Sequence, residues 1–118
     1  MPREKSAGDW KVRIDDMLEA AARAMEYTEG ITFDAFASDR LRLDAVARNV
    51  EIFGEAARYV PTEVREKYPL VPWSRIVGLR NIVAHDYFAV NLSIIWDTVK
   101  NDLPPTVPLL QEILEKEP

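Results

Sequence analysis

The sequence has no cysteine and a single histidine, His85. Without cysteine there is no disulfide framework, no thiolate nucleophile and no thiolate metal site, which fits a reducing compartment. No apolar run approaches the roughly 18 residues of a membrane span. The opening Met1-Pro2-Arg3-Glu4-Lys5 is not followed by the apolar segment of a secretory signal. These absences predict a cytoplasmic protein with no membrane association. Cations are in short supply: 15 Lys and Arg face 20 Asp and Glu, for a formal net charge of −5. That balance argues against a generally basic nucleic-acid-binding face. It leaves room for a local basic groove. Arg75 and Arg80 stand close with no acid between them, and Arg40, Arg42 and Arg48 are available to add to it. Period-2 alternation is also nearly missing, which removes the usual signal for strands.

What remains is helical. The chain has 118 residues, 47% hydrophobic and 30% charged, which predicts one soluble globular domain over residues 1–118. From Asp9, a plausible N-cap, Trp10, Ile14, Met17, Leu18, Ala21 and Met25 repeat at three- and four-residue spacing, and Gly30 is a plausible stop. Thr32 suits the cap of a short turn holding Phe33 and Phe36. A longer helix from about Ser38 to Tyr59 follows, with Leu41, Ala45, Val46, Asn49, Ile52, Phe53, Ala56 and Ala57 along one stripe. Pro61-Thr62 opens a short segment, and Pro72 suits the start of a helix reaching His85 or Asp86. Asn91 is positioned to cap the next helix. Pro104-Pro105 should end it, leaving a last helix from about Val107 to Lys116. The fold class expected is all-α, an antiparallel bundle of four to five helices.

The segment Arg80-Asn81-Ile82-Val83-Ala84-His85-Asp86-Tyr87 is the densest in chemistry. His85 alone has an ordinary pKa near neutrality, about 6.5. On a helix each residue turns about 100°, which puts Ile76, Leu79, Ile82 and Val83 on the core side. Asn81 and His85 become i,i+4 neighbours on the exposed face, with Arg80 to one side of them. One helix does not easily aim Arg80 and His85 at one atom. Two copies about a two-fold axis do, which motivates a homodimer with the site at its seam. Cleaving RNA without metal needs a base for the 2′-hydroxyl, an acid for the leaving 5′-oxygen and a cation over the phosphate. Imidazole and guanidinium fit those roles. The blander alternative is a histidine that complements a helix C-terminus, a solvated arginine and a tyrosine at the edge of the core.

Two further features bear on the site. Gly54 interrupts the long helix, where glycine costs up to about 1 kcal/mol, and close approach of another helix would explain it. Glu55 beside it is a candidate partner for an arginine near the motif, Arg80 among them. A carboxylate di-metal bundle does not fit, because it needs Glu-x-x-His pairs on two helices. Here Ile82 stands three residues before the only histidine. No metal and no cofactor is expected. Trp73 and Trp96 read as core or interface anchors rather than base-stacking platforms.

The order of several blocks is itself distinctive. Asn49-Val50-Glu51-Ile52-Phe53-Gly54-Glu55-Ala56-Ala57 precedes Tyr68-Pro69-Leu70-Val71-Pro72-Trp73. Then come Arg75-Ile76-Val77-Gly78-Leu79-Arg80-Asn81, His85-Asp86-Tyr87, and Ile95-Trp96 before Leu103-Pro104. This series resembles the HepT-like branch of the HEPN superfamily over nearly the whole chain. The resemblance implies a HEPN-type helical bundle that dimerises. It implies the toxin of a type VII-like toxin–antitoxin pair of HepT–MntA type, a metal-independent endoribonuclease leaving 2′,3′-cyclic phosphate ends on tRNA or mRNA. The family's catalytic pair maps to Arg80 and His85, with the supporting polar residue at Asn81. The tyrosine that an MntA-like nucleotidyltransferase partner adenylylates maps to Tyr87. The alternative from a different class is a non-catalytic HEPN module that docks a nucleotidyltransferase or binds nucleotide or RNA.

Overall fold

Helix formation follows the three- and four-residue spacing of apolar side chains, and the termini carry recognisable stops. In a computed structural model, which describes the backbone of residues 9–86 and 90–118 and the side chains of these except 84–86, 90 and 91, helix α1 spans Trp10–Tyr27. A short α2 (Phe33–Ser38), the long α3 (Arg40–Ala57) and a short α4 (Thr62–Lys67) come next. Then follow α5 (Trp73–Asp86), α6 (Val90–Asp97), a π-helical turn at Thr98–Asp102 and α7 (Leu103–Lys116). Every element among the described residues is helical, as the sequence predicts.

The caps account for most of the boundaries. Thr32 accepts the Ala35 amide at 3.1 Å and starts α2. Asp39 does the same for Arg42 at 3.1 Å and starts α3, and that backbone bond, ahead of the Arg42 guanidinium, holds the Asp39 carboxyl below its ordinary range. Gly30 takes φ +74° in the turn after α1, a conformation that favours glycine. Asp9 stands at the α1 N-cap position without a side-chain capping bond. Asn91 falls inside α6 rather than at its cap.

The two prolines expected to end a helix do not. α6, the π turn and α7 follow one another without a break, and Pro104 and Pro105 occupy the first turn of α7. Proline removes an N–H donor and crowds the carbonyl four residues back. The π turn widens the backbone just before this run, with the Leu103 amide reaching back to the Thr98 carbonyl. The Thr106 hydroxyl then donates to the Asp102 carbonyl at 2.8 Å. Local widening thus absorbs what would otherwise be a break.

The helices bury one cluster. Ile14, Met17 and Ala21 of α1 meet Val46, Val50 and Phe53 of α3, Ile76 and Leu79 of α5, and Val99, Leu110 and Ile113 near the end. Phe36 is fully buried beside Trp96, their ring centroids 5.2 Å apart. Cross-contacts fix the directions. Arg42 Nη1 donates to the Tyr27 carbonyl at 2.6 Å, while Arg13 lies against Tyr59. The start of α3 therefore meets the end of α1, and the two run antiparallel. Lys100 Nζ donates to the Thr28 carbonyl at 2.7 Å, and Lys11 Nζ bonds the Glu117 carbonyl. The α6–α7 rod is antiparallel to α1 as well. No helix among the described residues is long and apolar enough to cross a membrane.

Candidate functional site

The site is set by how closely α5 approaches α3. A Cβ at Gly54 would stand 2.7 Å from the Ile76 carbonyl oxygen and 3.3 Å from the Arg80 amide nitrogen. No real side chain fits there, so glycine permits the contact. One residue on, Glu55 reaches Arg80: Oε2 lies 3.0 Å from Nε. The same carboxylate accepts from Arg58 Nη1 at 3.0 and 3.2 Å. The Arg80 side chain is 48% exposed, so its pairing is on the surface and worth little to stability. Its value lies in direction. With Nε engaged, the donors on Nη1 and Nη2 are not used by any other described residue and can meet a further partner.

Helix α5 places the remaining motif residues as the wheel predicts. Ile76, Leu79 and Val83 are buried, and Arg80 and Asn81 are exposed. His85 belongs to the same helix, next to its C-terminal residue Asp86. Five residues of α-helix separate Arg80 and His85 by about 7.5 Å of rise and roughly 140° of turn. The side chain of His85 and the whole of Tyr87 lie outside the described residues.

Arg80 opens onto a cleft of about 310 Å³ between α1, α3 and α5. Its lining is Arg13 and Asp16 from α1, Arg48, Glu51, Ile52, Glu55 and Ala56 from α3, and Arg80 itself. Arg48 pairs with Glu51 at 3.1 Å. The cleft is therefore rich in charge of both signs rather than basic. Among the described residues no three His, Cys, Asp or Glu side chains converge as a metal site requires.

The basic groove expected from Arg40, Arg42, Arg48, Arg75 and Arg80 forms only in part. Arg48 joins Arg80, but Arg75 turns to the other side of α5 and pairs with Asp102 at 2.9 Å. Five residues on a helix are about 140° apart, so nearness in sequence does not put two arginines on one face. Arg40 pairs with Asp44, and Arg42 with Asp39. Both sit at the far end of α3, roughly 20 Å along its axis from Glu55. Sequence reasoning missed Arg13. It reaches the cleft through the packing of α1 on α3, which no local spacing encodes.

Trp73 and Trp96 are used as anchors. Trp73 is buried and donates from Nε1 to the Tyr68 carbonyl at 3.1 Å. Trp96 packs between Phe33 and Phe36, with the Lys100 ammonium 5.0 Å from its ring.

Comparison with known proteins adds an independent line. Residues 17–114 match the family described as ribonuclease HepT-like. A protein of Methanocaldococcus jannaschii, provisionally named an RNase, is 42% identical over 99 residues, covering 84% of this chain and 91% of its own. A Caldanaerobacter subterraneus protein with a similarly provisional RNase name is 38% identical over 104 residues, 88% of this chain and 93% of its own. One from Thermococcus cleftensis, named "Probable ribonuclease HepT", is 35% identical over 91 residues, 77% of this chain and 83% of its own. No solved structure gives a significant match.

Proposed function

Because this chain belongs to the ribonuclease HepT-like family, we propose that it cleaves RNA without a metal ion and acts as the toxin of a toxin–antitoxin pair. The observation that carries this reading is Arg80, paired with Glu55 of α3 in the lining of a charged cleft and carried on the same helix as His85. In the proposed reaction one His85 takes the proton of the ribose 2′-hydroxyl. The freed oxygen attacks the adjacent phosphorus and the bond from phosphorus to the 5′-oxygen breaks. A protonated His85 from a second copy gives the leaving oxygen its proton. The products are a 2′,3′-cyclic phosphate and a 5′-hydroxyl. Arg80 compensates the charge that builds on the phosphate, and Glu55 positions Arg80 through Nε. Asn81 supports the same exposed face.

Homodimerisation belongs to this proposal, since one helix does not point both groups at one phosphate. So does silencing by an MntA-like nucleotidyltransferase that adenylylates Tyr87. An adenylyl group adds negative charge and bulk near the motif, by the logic of phosphorylation. Tyr87→Phe should remain toxic and escape the partner. Neutralisation of Tyr87→Phe on co-expression would instead place control in complex formation.

The direct test is cleavage of total tRNA and mRNA by protein of unmodified mass in EDTA, beside His85→Ala. Cleavage that His85→Ala abolishes supports the reading. Inactivity of the unmodified protein on both substrates would favour a HEPN module that binds without cutting.

A further inference from the structure

The cleft beside Arg80 holds an arginine whose neighbours do not satisfy it. Three helices each contribute a guanidinium: Arg13 from α1, Arg48 from α3 and Arg80 from α5. Glu51 answers Arg48 and Glu55 answers Arg80. Arg13 is held by a ring instead, its guanidinium carbon 4.2 Å from the centroid of Tyr59. Its Nε is shielded from solvent and meets no acceptor among the described residues. A ring holds a cation through its π face and leaves the N–H donors at the rim of the guanidinium unspent. A donor withdrawn from water and left unpaired is costly, so an anion that draws the guanidinium further into the cleft relieves that cost.

We infer that Arg13 is a phosphate-binding residue for the RNA strand, gripping the backbone at a phosphodiester other than the one at Arg80. The inference rests on the ribonuclease reading and extends it from one phosphate to a track. Guanidinium matches a phosphate with two parallel N–H donors and stacks on an aromatic face at the same time. Ile52 and Ala56 line the same cleft and offer an apolar surface to a ribose or base. The acids have a part as well. Glu51 and Glu55 keep Arg48 and Arg80 ordered before RNA arrives, and they weaken its binding by repulsion. Arg13, seated on Tyr59, meets the strand without displacing a carboxylate.

The test is binding, kept separate from cleavage. A fully 2′-O-methylated single-stranded oligoribonucleotide has no 2′-hydroxyl to attack, so wild-type protein binds it without cutting. Fluorescence anisotropy across a range of KCl concentrations gives affinity and salt slope. Loss of one phosphate contact in Arg13→Ala should weaken binding about fivefold near 0.1 M salt and make the slope shallower by about 0.7. Arg13→Lys keeps the slope and binds less tightly than wild type. Glu51→Gln tightens binding, and Lys100→Ala, whose ammonium bonds the Thr28 carbonyl past the opposite end of α1 from Arg13, changes nothing. Wild-type affinity and slope in a folded Arg13→Ala would overturn the inference, as would failure of wild-type protein to bind the oligonucleotide at low salt. Equal, Arg13-dependent binding of AMP would also overturn it, making the cleft a mononucleotide pocket. If Arg13→Ala does not fold, Arg13→Lys decides: weaker binding supports the site and wild-type affinity sinks it. Arg13-dependent binding with no cleavage of ordinary RNA would leave the binding site standing and remove the nuclease reading.

Discussion

The two ends of α5 use the same residue type for different work. At its N-terminal end Arg75 is held by Asp102 at 2.9 Å, with Asp97 at 3.9 Å, and Trp73 beside it is buried and hydrogen-bonded. These groups tie α5 to the π turn and to the loop before it. At the C-terminal end Arg80 shares the carboxylate of Glu55 with Arg58, beside an open cleft and five residues before His85. Both arginines are paired and both are exposed, so neither pairing nor burial distinguishes them. Location does: one guanidinium closes a structural joint, and the other flanks space that a phosphate can enter.

Substituting each arginine gives the largest contrast. Arg80→Ala should lower the RNA cleavage rate about 10²–10³-fold, the usual loss when a group stabilising transition-state charge is removed. His85→Ala should cost about 10²–10⁴-fold. Arg75→Ala should leave the rate within about twofold and cost at most about 1 kcal/mol in denaturant unfolding, as exposed pairs do. Equal losses from Arg75→Ala and Arg80→Ala would erase the distinction between the two ends.

Glu55→Gln sharpens it. The amide retains the shape but not the charge that directs Nε of Arg80, so kcat should fall between about ten- and a hundredfold. Unfolding free energy should hardly move. A loss confined to KM would mean that Glu55 does not position Arg80 for the chemical step.

The two glycines of this region should respond with opposite sign. Gly54→Ala pushes a methyl against the Ile76 carbonyl and should destabilise by about 1–3 kcal/mol. Gly78 on α5 has open space where its Cβ would go, and alanine there should stabilise by about 0.5–1 kcal/mol. Urea unfolding of both variants checks the pair. Destabilisation by Gly78→Ala would mean that its open face meets a partner in solution.

The smallest effect belongs to the joint at the chain's end. The Tyr68 hydroxyl at 2.8 Å, then Lys67, holds the Glu117 carboxyl below the ordinary glutamate range. The lowered pKa means that this contact stabilises above the ordinary glutamate range, and that the contribution is lost as pH falls through the lowered value. Thermal melts across acid pH should therefore fall slightly less steeply for Glu117→Gln than for wild type, while cleavage at neutral pH stays unchanged.

Much of the scaffold was legible because helix signals are local. The apolar spacing places α1, α3 and α5, Thr32 caps α2 as its position suggests, and Gly54 marks a close contact before the neighbour is known. What failed depends on geometry across elements. Pro104 and Pro105 read as a break because spacing does not register a π turn that widens the backbone ahead of them. Arg75 read as a companion of Arg80 because nearness in sequence was allowed to outweigh the turn of the helix. Arg13 was not visible at all, since its seat on Tyr59 exists only once α1 packs against α3.

The chemistry of the cut ends tests the central claim most directly. RNA fragments made by the unmodified protein in EDTA would be analysed by mass spectrometry. The account predicts 2′,3′-cyclic phosphate on one side of each cut and 5′-hydroxyl on the other. Fragments carrying 3′-hydroxyl and 5′-phosphate ends would contradict it, because attack by the neighbouring 2′-oxygen cannot produce them.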